Sequence, residues 1–159
     1  MELLELFDIN EKRIGKQIVR GYEPDDGEYI MIVYIFIINS EGKVLLEKNK
    51  VTLSWVVPGG HVNSGVPQRN IERECMEELG IQINVSNLRN VDSIIKNRRI
   101  FKIYSLRQDI DLNNIKLQTE EVIDANFFSI DEIEDMEENG RIRENNLMFI
   151  DVLKKYLHR

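Results

Sequence analysis

The sequence predicts an α/β (α+β) fold, a mixed β-sheet with helices packed on its faces, and three observations carry that reading. Tyr29 to Ile38 is continuously apolar and rich in β-branched and aromatic side chains, the pattern of a strand covered on both faces. The segment from Pro67 to Gly80 opens with a proline, closes with a glycine, and repeats Ile71, Cys75 and Leu79 every four residues, which is the stripe of a short amphipathic helix. Strand-like and helix-like stretches then interleave to the end of the chain, an order that a sheet with helices on its faces accommodates economically. At 159 residues, 42% of them hydrophobic and 31% charged, the chain is expected to form one globular domain, residues 1–159, with a core that needs no disulfide staple.

Taken in order, residues 3 to 20 hold two short apolar stretches around Asn10-Glu11-Lys12-Arg13, an amino-terminal edge hairpin. Tyr29 to Ile38 takes the centre of the sheet. Asn39-Ser40-Glu41-Gly42 has turn chemistry, and Lys43 to Lys48 reads as the return strand of a hairpin. The helix runs from Pro67, whose missing amide hydrogen is not needed in a first turn, to Leu79, with Gly80 just past its end. Ile81 to Val85, Val91 to Ile95 and Ile100 to Leu106 read as strands, the last two joined at Asn97-Arg98. Asn126 to Ile130 is a short strand leading into a helix, in which Ile133 and Met136 sit among solvated acidic residues from Asp131 to Glu138. From Asn145 to the chain end, the spacing of Leu147, Phe149, Ile150, Leu153 and Leu157 suits a terminal helix docked on the sheet.

Charge and hydropathy narrow the function. A formal charge of -7, from 28 acidic and 21 basic side chains, opposes a sequence-independent grip on a nucleic-acid polymer. The longest apolar run is about half of what a helix needs to cross a bilayer, so a membrane is not an expected partner. Met1 to Glu11 carries four acidic residues and no basic run ahead of an apolar segment, so no secretory signal is read there. With one cysteine there is no internal disulfide, and a cytoplasmic setting is expected. The assembly state stays open, with a homodimer among the options.

Chemistry concentrates on the helix. Glu74, Glu77 and Glu78 stand at i, i+3 and i+4, inside an arc of about 100°. Like charges so placed destabilise a helix by roughly a few tenths of a kcal/mol per pair unless a cation neutralises them. Magnesium and similar hard ions take carboxylate, carbonyl and water oxygens and bridge them to substrate phosphates. Bound there, such an ion would neutralise phosphoryl oxygens and acidify a water. Without the Gly59-Gly60 turn ahead of it, the same spacing is more often a solvated face.

Arg73-Glu74-Cys75-Met76-Glu77-Glu78-Leu79-Gly80-Ile81 resembles the second half of the Nudix box, Arg-Glu-hydrophobic-any-Glu-Glu-any-Gly-hydrophobic, in every specified position. Trp55 and Pro58-Gly59-Gly60-His61-Val62 are similar to the strand and turn that lead into it. The first half departs from the pattern. Val66 follows Gly65 where the family has Glu, and the span from Gly60 to Arg73 is one residue short, a deletion that falls between Gly65 and Pro67.

The resemblance implies a Nudix-like α/β/α sandwich and a metal-dependent hydrolase using magnesium or manganese. Its expected substrate is a small-molecule diphosphate of the nucleoside diphosphate type. By the same resemblance Glu77 and Glu78 are metal ligands, Glu74 is a ligand or the water-activating base, Gly60 offers its carbonyl to the metal, and Arg73 orients a glutamate. Because the base in this family is often on a later loop, Glu120 and Glu121 are candidates too.

Competing readings attach to several residues. Cys75 lies on the apolar stripe and reads as a buried thiol rather than a nucleophile. Trp55 reads as core, and His61 as a metal or phosphate contact or a tolerated position. Lys96, Arg98, Arg99 and Lys102 form a basic patch suited either to a substrate phosphate or to a solvated hairpin end. Two other functions compete with hydrolysis. One is a non-catalytic nucleotide-binding Nudix module, kept open by Val66. The other is an isopentenyl-diphosphate isomerase, because Glu5-Leu6-Phe7-Asp8-Ile9-Asn10-Glu11, Gly15-Lys16 and Arg20-Gly21 are similar to the start of isomerase-like Nudix proteins. That chemistry calls for a loop cysteine and histidine ligands.

Overall fold

A computed structural model describes residues 1–158. Its strands are β1 (Leu3–Phe7), β2 (Arg13–Val19), β3 (Tyr29–Ile38), β4 (Val44–Asn49), β5 (Trp55–Val56), β6 (Gly59–His61), β7 (Arg89–Lys96), β8 (Arg99–Arg107) and β9 (Val122–Phe128). The helices are α1 (Pro67–Leu79), α2 (Ile130–Glu138) and α3 (Leu147–Leu157). Arg159, included when the terminal helix is read to the chain end, lies outside the described residues.

β3 organises the mixed sheet. One of its edges pairs in parallel with β8 from Ile30↔Arg99 to Ile38↔Arg107. Three strands share the opposite edge: β1 at Tyr29 and Ile30, β6 at Ile32 to Tyr34, and β4 at Ile38 alone. Lys43 to Lys48 is therefore a hairpin return only at its base. Past Val44 the strand leaves β3 and runs antiparallel to β9, with β5 on its other edge at Glu47 and Lys48. The reason is competition for backbone partners, since β6 occupies the middle of the β3 edge and the Ile35 amide donates to the Pro58 carbonyl at 3.0 Å.

The period-two alternation of β3 feeds two helix-covered cores and, through Ile30 and Ile32, a smaller cluster with Leu4 and Leu6 of β1. Met31, Val33, Ile35 and Ile37 pack with Ile71, Cys75 and Leu79 of α1. Phe36 and Ile38 face the other way, onto Ile133 and Met136 of α2 and Phe149, Ile150 and Leu153 of α3. Helices thus cover both faces, as expected. Trp55 belongs to the second core, edge-on to Phe128 with ring centroids 4.8 Å apart.

Local chemistry sets the ends of these elements. Pro67 starts α1, and Gly80, at φ 65°, closes it by donating to the Met76 carbonyl at 3.0 Å. Ser129 and Glu132 form a reciprocal capping box at the start of α2. Asn97 and Arg98, at φ 52° and 59°, make the tight turn between β7 and β8. Ile81 to Val85 is not a strand. Ile81 and Ile83 are buried, but their alternation reflects packing into the α1-side core and not pairing with a neighbour. Among the described residues no helix is long and apolar enough to cross a membrane.

Leu79, fully buried, joins α1 to the sheet. Leu79→Ala is expected to cost about 2–5 kcal/mol of unfolding free energy, read as a lower urea midpoint at unchanged slope.

Candidate active site

Where β4 leaves β3 the sheet forks, and a cleft of about 610 Å³ opens between the branches. Glu47 and Asn49 of β4 line it on one side, Ile32 and Tyr34 of β3 with Arg99 and Phe101 of β8 on the other. β6 and the acidic face of α1 also border it, through Gly59, Gly60, His61, Glu74, Glu77 and Glu78.

The two glycines of β6 are required by close approach. A Cβ on Gly59 would run into the Val33 carbonyl oxygen and Tyr34, and one on Gly60 would run into the Glu74 carboxyl group. Gly60 therefore lets Glu74 lie directly against the strand. The shortened loop between β6 and α1 is tied down from within the helix. Asn70 is 1% exposed; its amide nitrogen donates to the Ser64 and Val66 carbonyls at 2.7 and 3.0 Å, and its oxygen accepts from the Asn63 amide at 3.3 Å. Asn63 in turn accepts from the Arg73 guanidinium, which also donates to Glu74 Oε1 at 3.3 Å. Arg73 Nε lies 3.7 Å from Glu77 Oε1.

The carboxylates differ sharply in setting. Glu77 has a half-exposed side chain, and Glu74 is more enclosed beside Arg73. Glu78 is 8% exposed and Glu47 only 4%. The Oε2 atoms of both have no hydrogen-bond donor among the described residues. Burial is the main cause pushing the Glu78, Glu47 and Glu74 carboxyls up from the ordinary value of 4.5. The facing Glu47 and Glu74 carboxyls add to the rise at Glu78. His61 moves the other way, down to about 4, through burial and then the nearby Arg20 charge, and is neutral near pH 7.

Buried carboxylate oxygens without donors are what a hard divalent cation satisfies, so the donor set fits magnesium or manganese. Glu74, Glu77, Glu78 and the Gly60 carbonyl would hold it. Among the described residues no three histidine, cysteine or acidic side chains are already closed into a ligand set. Arg73 holds Glu74 and Glu77, so a cation would have to gather these side chains.

The structure sorts the remaining sequence candidates. Glu121 lines the cleft, whereas Glu120 and Arg73 do not, Arg73 acting from behind the carboxylates. Within the basic patch, Arg99 pairs with Glu23 at 2.9 Å, Arg98 with Asp26, and Lys102 with Glu11 at 2.7 Å. Arg99 alone of that patch borders the cleft. Cys75 is 1% exposed in the α1-side core, and burial pushes its thiol upward. Sequence reasoning missed Glu47, Asn70, Arg20 and Arg143. Only Glu47 had a readable signal: it stands two residues after Leu45, on the same face of its strand.

The class of the fold follows from its likeness to solved structures. A Deinococcus radiodurans protein, DR0079, overlays with a TM-score of 0.73 at 20% identity, covering 97% of this chain and 98% of that one. The NUDIX domain of NrtR from Shewanella oneidensis, crystallised with ADP ribose, overlays at 0.66 with 14% identity, covering 86% and 94%. These likenesses establish the fold alone. The NUDIX domain family model matches residues 28–148, and the chain belongs to that family. An uncharacterised Nudix hydrolase of Listeria monocytogenes is 30% identical over 147 residues, 88% of this chain and 87% of the relative. Nudix hydrolases are generally metal-dependent pyrophosphohydrolases of nucleoside diphosphate derivatives.

Two outcomes follow from this geometry. Asn70→Ala takes the side-chain partner from the Ser64 carbonyl and the Asn63 amide, while the Val66 carbonyl keeps its bonds from the Arg69 and Asn70 backbone amides, and is expected to cost about 1–3 kcal/mol, measured by denaturant unfolding. Carboxyls raised in the folded state make folding take up protons above the ordinary value of 4.5, so the metal-free protein should lose stability as pH rises from there. Thermal midpoints should fall between about pH 5 and about pH 8, and magnesium should offset the fall.

Proposed function

We propose that this chain is a divalent-metal-dependent hydrolase that cleaves the diphosphate linkage of a small nucleoside-diphosphate-type molecule by water attack on phosphorus. The observation that carries the reading is the pair of buried, donor-less carboxylate oxygens on Glu78 and Glu47 at a cleft that also receives Arg20, Arg99 and Arg143. A cleft with carboxylates at one end and guanidiniums at the other, where an anion would compete with the Arg20–Glu2 and Arg99–Glu23 ion pairs, suits a ligand that is anionic along its length and partly neutralised by a cation. Family membership supplies the substrate class, and the ADP ribose in the NrtR domain is a ligand of that class.

Magnesium or manganese at the carboxylates would acidify a water and offset phosphoryl charge. Glu77 and Glu78 serve as ligands in this reading, with Glu74 as ligand or base and the Gly60 carbonyl as a further oxygen. Arg73 keeps Glu74 and Glu77 oriented. Glu74 or Glu121 accepts the proton of the attacking water. As the new P–O bond forms, the bond from that phosphorus to the bridging oxygen breaks, and the second phosphate leaves with the electron pair. Arg99, Arg20 and Arg143 are placed to receive the charge of the remaining phosphoryl or leaving group.

The isomerase alternative calls for a cysteine on a loop, and the only one here is Cys75, sealed in the core. The binding-module alternative predicts cation and nucleotide uptake without product. A cytoplasmic location accords with a chain whose one cysteine is a free thiol.

Glu77→Gln and Glu78→Gln should each reduce turnover by at least about a hundredfold, the scale set by removing one group that stabilises developing charge, with the fold retained by circular dichroism. The measurement is formation of the two phosphomonoester products, read as phosphate after a phosphatase is added, across nucleoside diphosphate derivatives with magnesium and with manganese. Undiminished metal-dependent hydrolysis in both variants rules the assignment out.

A further inference from the structure

Glu47 is outside the family motif and sits on a strand, yet it shares the cleft with the acidic face of α1. Leu45, two residues earlier, packs into the α1-side core, and alternate residues of a strand share a face, so Glu47 projects to the same side. Its flanking strands hold it there, with Val56 opposite on β5 and Ala125 opposite on β9. It is 4% exposed and its Oε2 has no donor among the described residues. The charged groups that act on it are Glu78, Glu74 and Glu121, all acids.

A structural role does not account for this residue. A carboxylate buried without a cation or donors costs several kcal/mol, and a glutamine of the same shape would donate to Glu78 and remove the repulsion. Without a cation these carboxyls must share or take up protons to stay buried, and a cation in the space that they face lets them keep their charge. We propose that Glu47 is an additional cation-binding carboxylate. The divalent ion is then held between two elements, with Glu78 from α1 on one side and Glu47 from β4 on the other. This rests on the metal-dependent reading of the site and adds to it a donor from the sheet.

The test uses the full chain as wild type, Glu47→Gln and Glu47→Met, with manganese alone as the probe and free manganese followed by electron paramagnetic resonance. Both variants should bind manganese at least about tenfold more weakly, the lower end of what disturbing a metal site's support costs. Without metal, both should melt at or above the wild-type midpoint, because the crowding of Glu47 against Glu78, Glu74 and Glu121 has been relieved. In saturating manganese the stabilisation should be smaller than in wild type. That opposition between the metal-free and metal-bound effects is the signature, since a packing role would lower both midpoints together. Manganese affinity within about twofold of wild type in both variants would overturn the assignment. Failure of the hydrolase reading looks different: manganese uptake that depends on Glu47, with no diphosphate hydrolysed, removes the activity and leaves the ligand.

Discussion

The constraint on which the structure depends is the backbone of β3. In a ten-residue strand with all but Tyr29 and Tyr34 buried, the peptide groups cannot rely on water, so each of its edges must find partners from the chain itself. β8 supplies one edge completely. The other is divided among β1, β6 and β4, and this division opens the sheet. Had β4 followed β3 along its length, no fork would exist and the Gly59-Gly60 segment would have no edge to join. The cleft is thus a product of hydrogen-bond allocation in the sheet, and the helices seal the two cores around it.

The charged residues gathered at this fork oppose folding. Glu47 and Glu78 are removed from water without a protein cation, and Gly60 is bare so that the Glu74 carboxyl can press against the strand. Away from the acidic face the chain pairs its charges conventionally: Arg98 and Lys102 of the β7–β8 hairpin region reach Asp26 and Glu11, and Arg99, at the edge of the cleft, reaches Glu23. The contrast matters. A chain that pairs its peripheral carboxylates, and Glu74 and Glu77 with Arg73, but leaves Glu47 and Glu78 bare concentrates its electrostatic cost in one place. Local departures from good packing and pairing of this sort are expected at functional sites and are offset by the rest of the fold.

What could be read in advance depended on whether the signal was local. Pro67 and Gly80 bound α1 correctly because both act through their own backbone torsions. β3 was legible from continuous apolarity, and the β7–β8 hairpin from two strand-like runs flanking Asn97-Arg98. The partner of β4 was not, because pairing is decided by which segment reaches an edge first, and β6 is three residues long and glycine-rich. Ile81 and Ile83 show the same limit: alternation reports burial, and burial does not require a neighbouring strand. In the site, Glu74, Glu77 and Glu78 were legible as a helical arc. Glu47 was hidden because a lone acid near the end of a strand reads as solvent-facing unless its phase against Leu45 is followed. Asn70 was hidden because its three loop bonds exist only after the helix and loop have met.

The departure at Val66 acquires a structural meaning from these two hidden residues. The loop that lacks the motif's first glutamate is one residue short, and Asn70 binds it back onto α1, so the shortening leaves an ordered connection. Val66 does not line the cleft, whereas Glu47 does. Placing a carboxylate on β4 instead of on that loop changes how it is held. A strand flanked on both edges by β5 and β9 fixes its side-chain direction more firmly than a surface loop does, and a site built on regular elements is more precisely organised than one built on loops. The same position is also more deeply buried, so the charge is more costly there and more strongly drawn to a cation. If Glu47 holds the cation as proposed, the acidic helix faces a rigid carboxylate across the fork, on a strand instead of on the shortened loop.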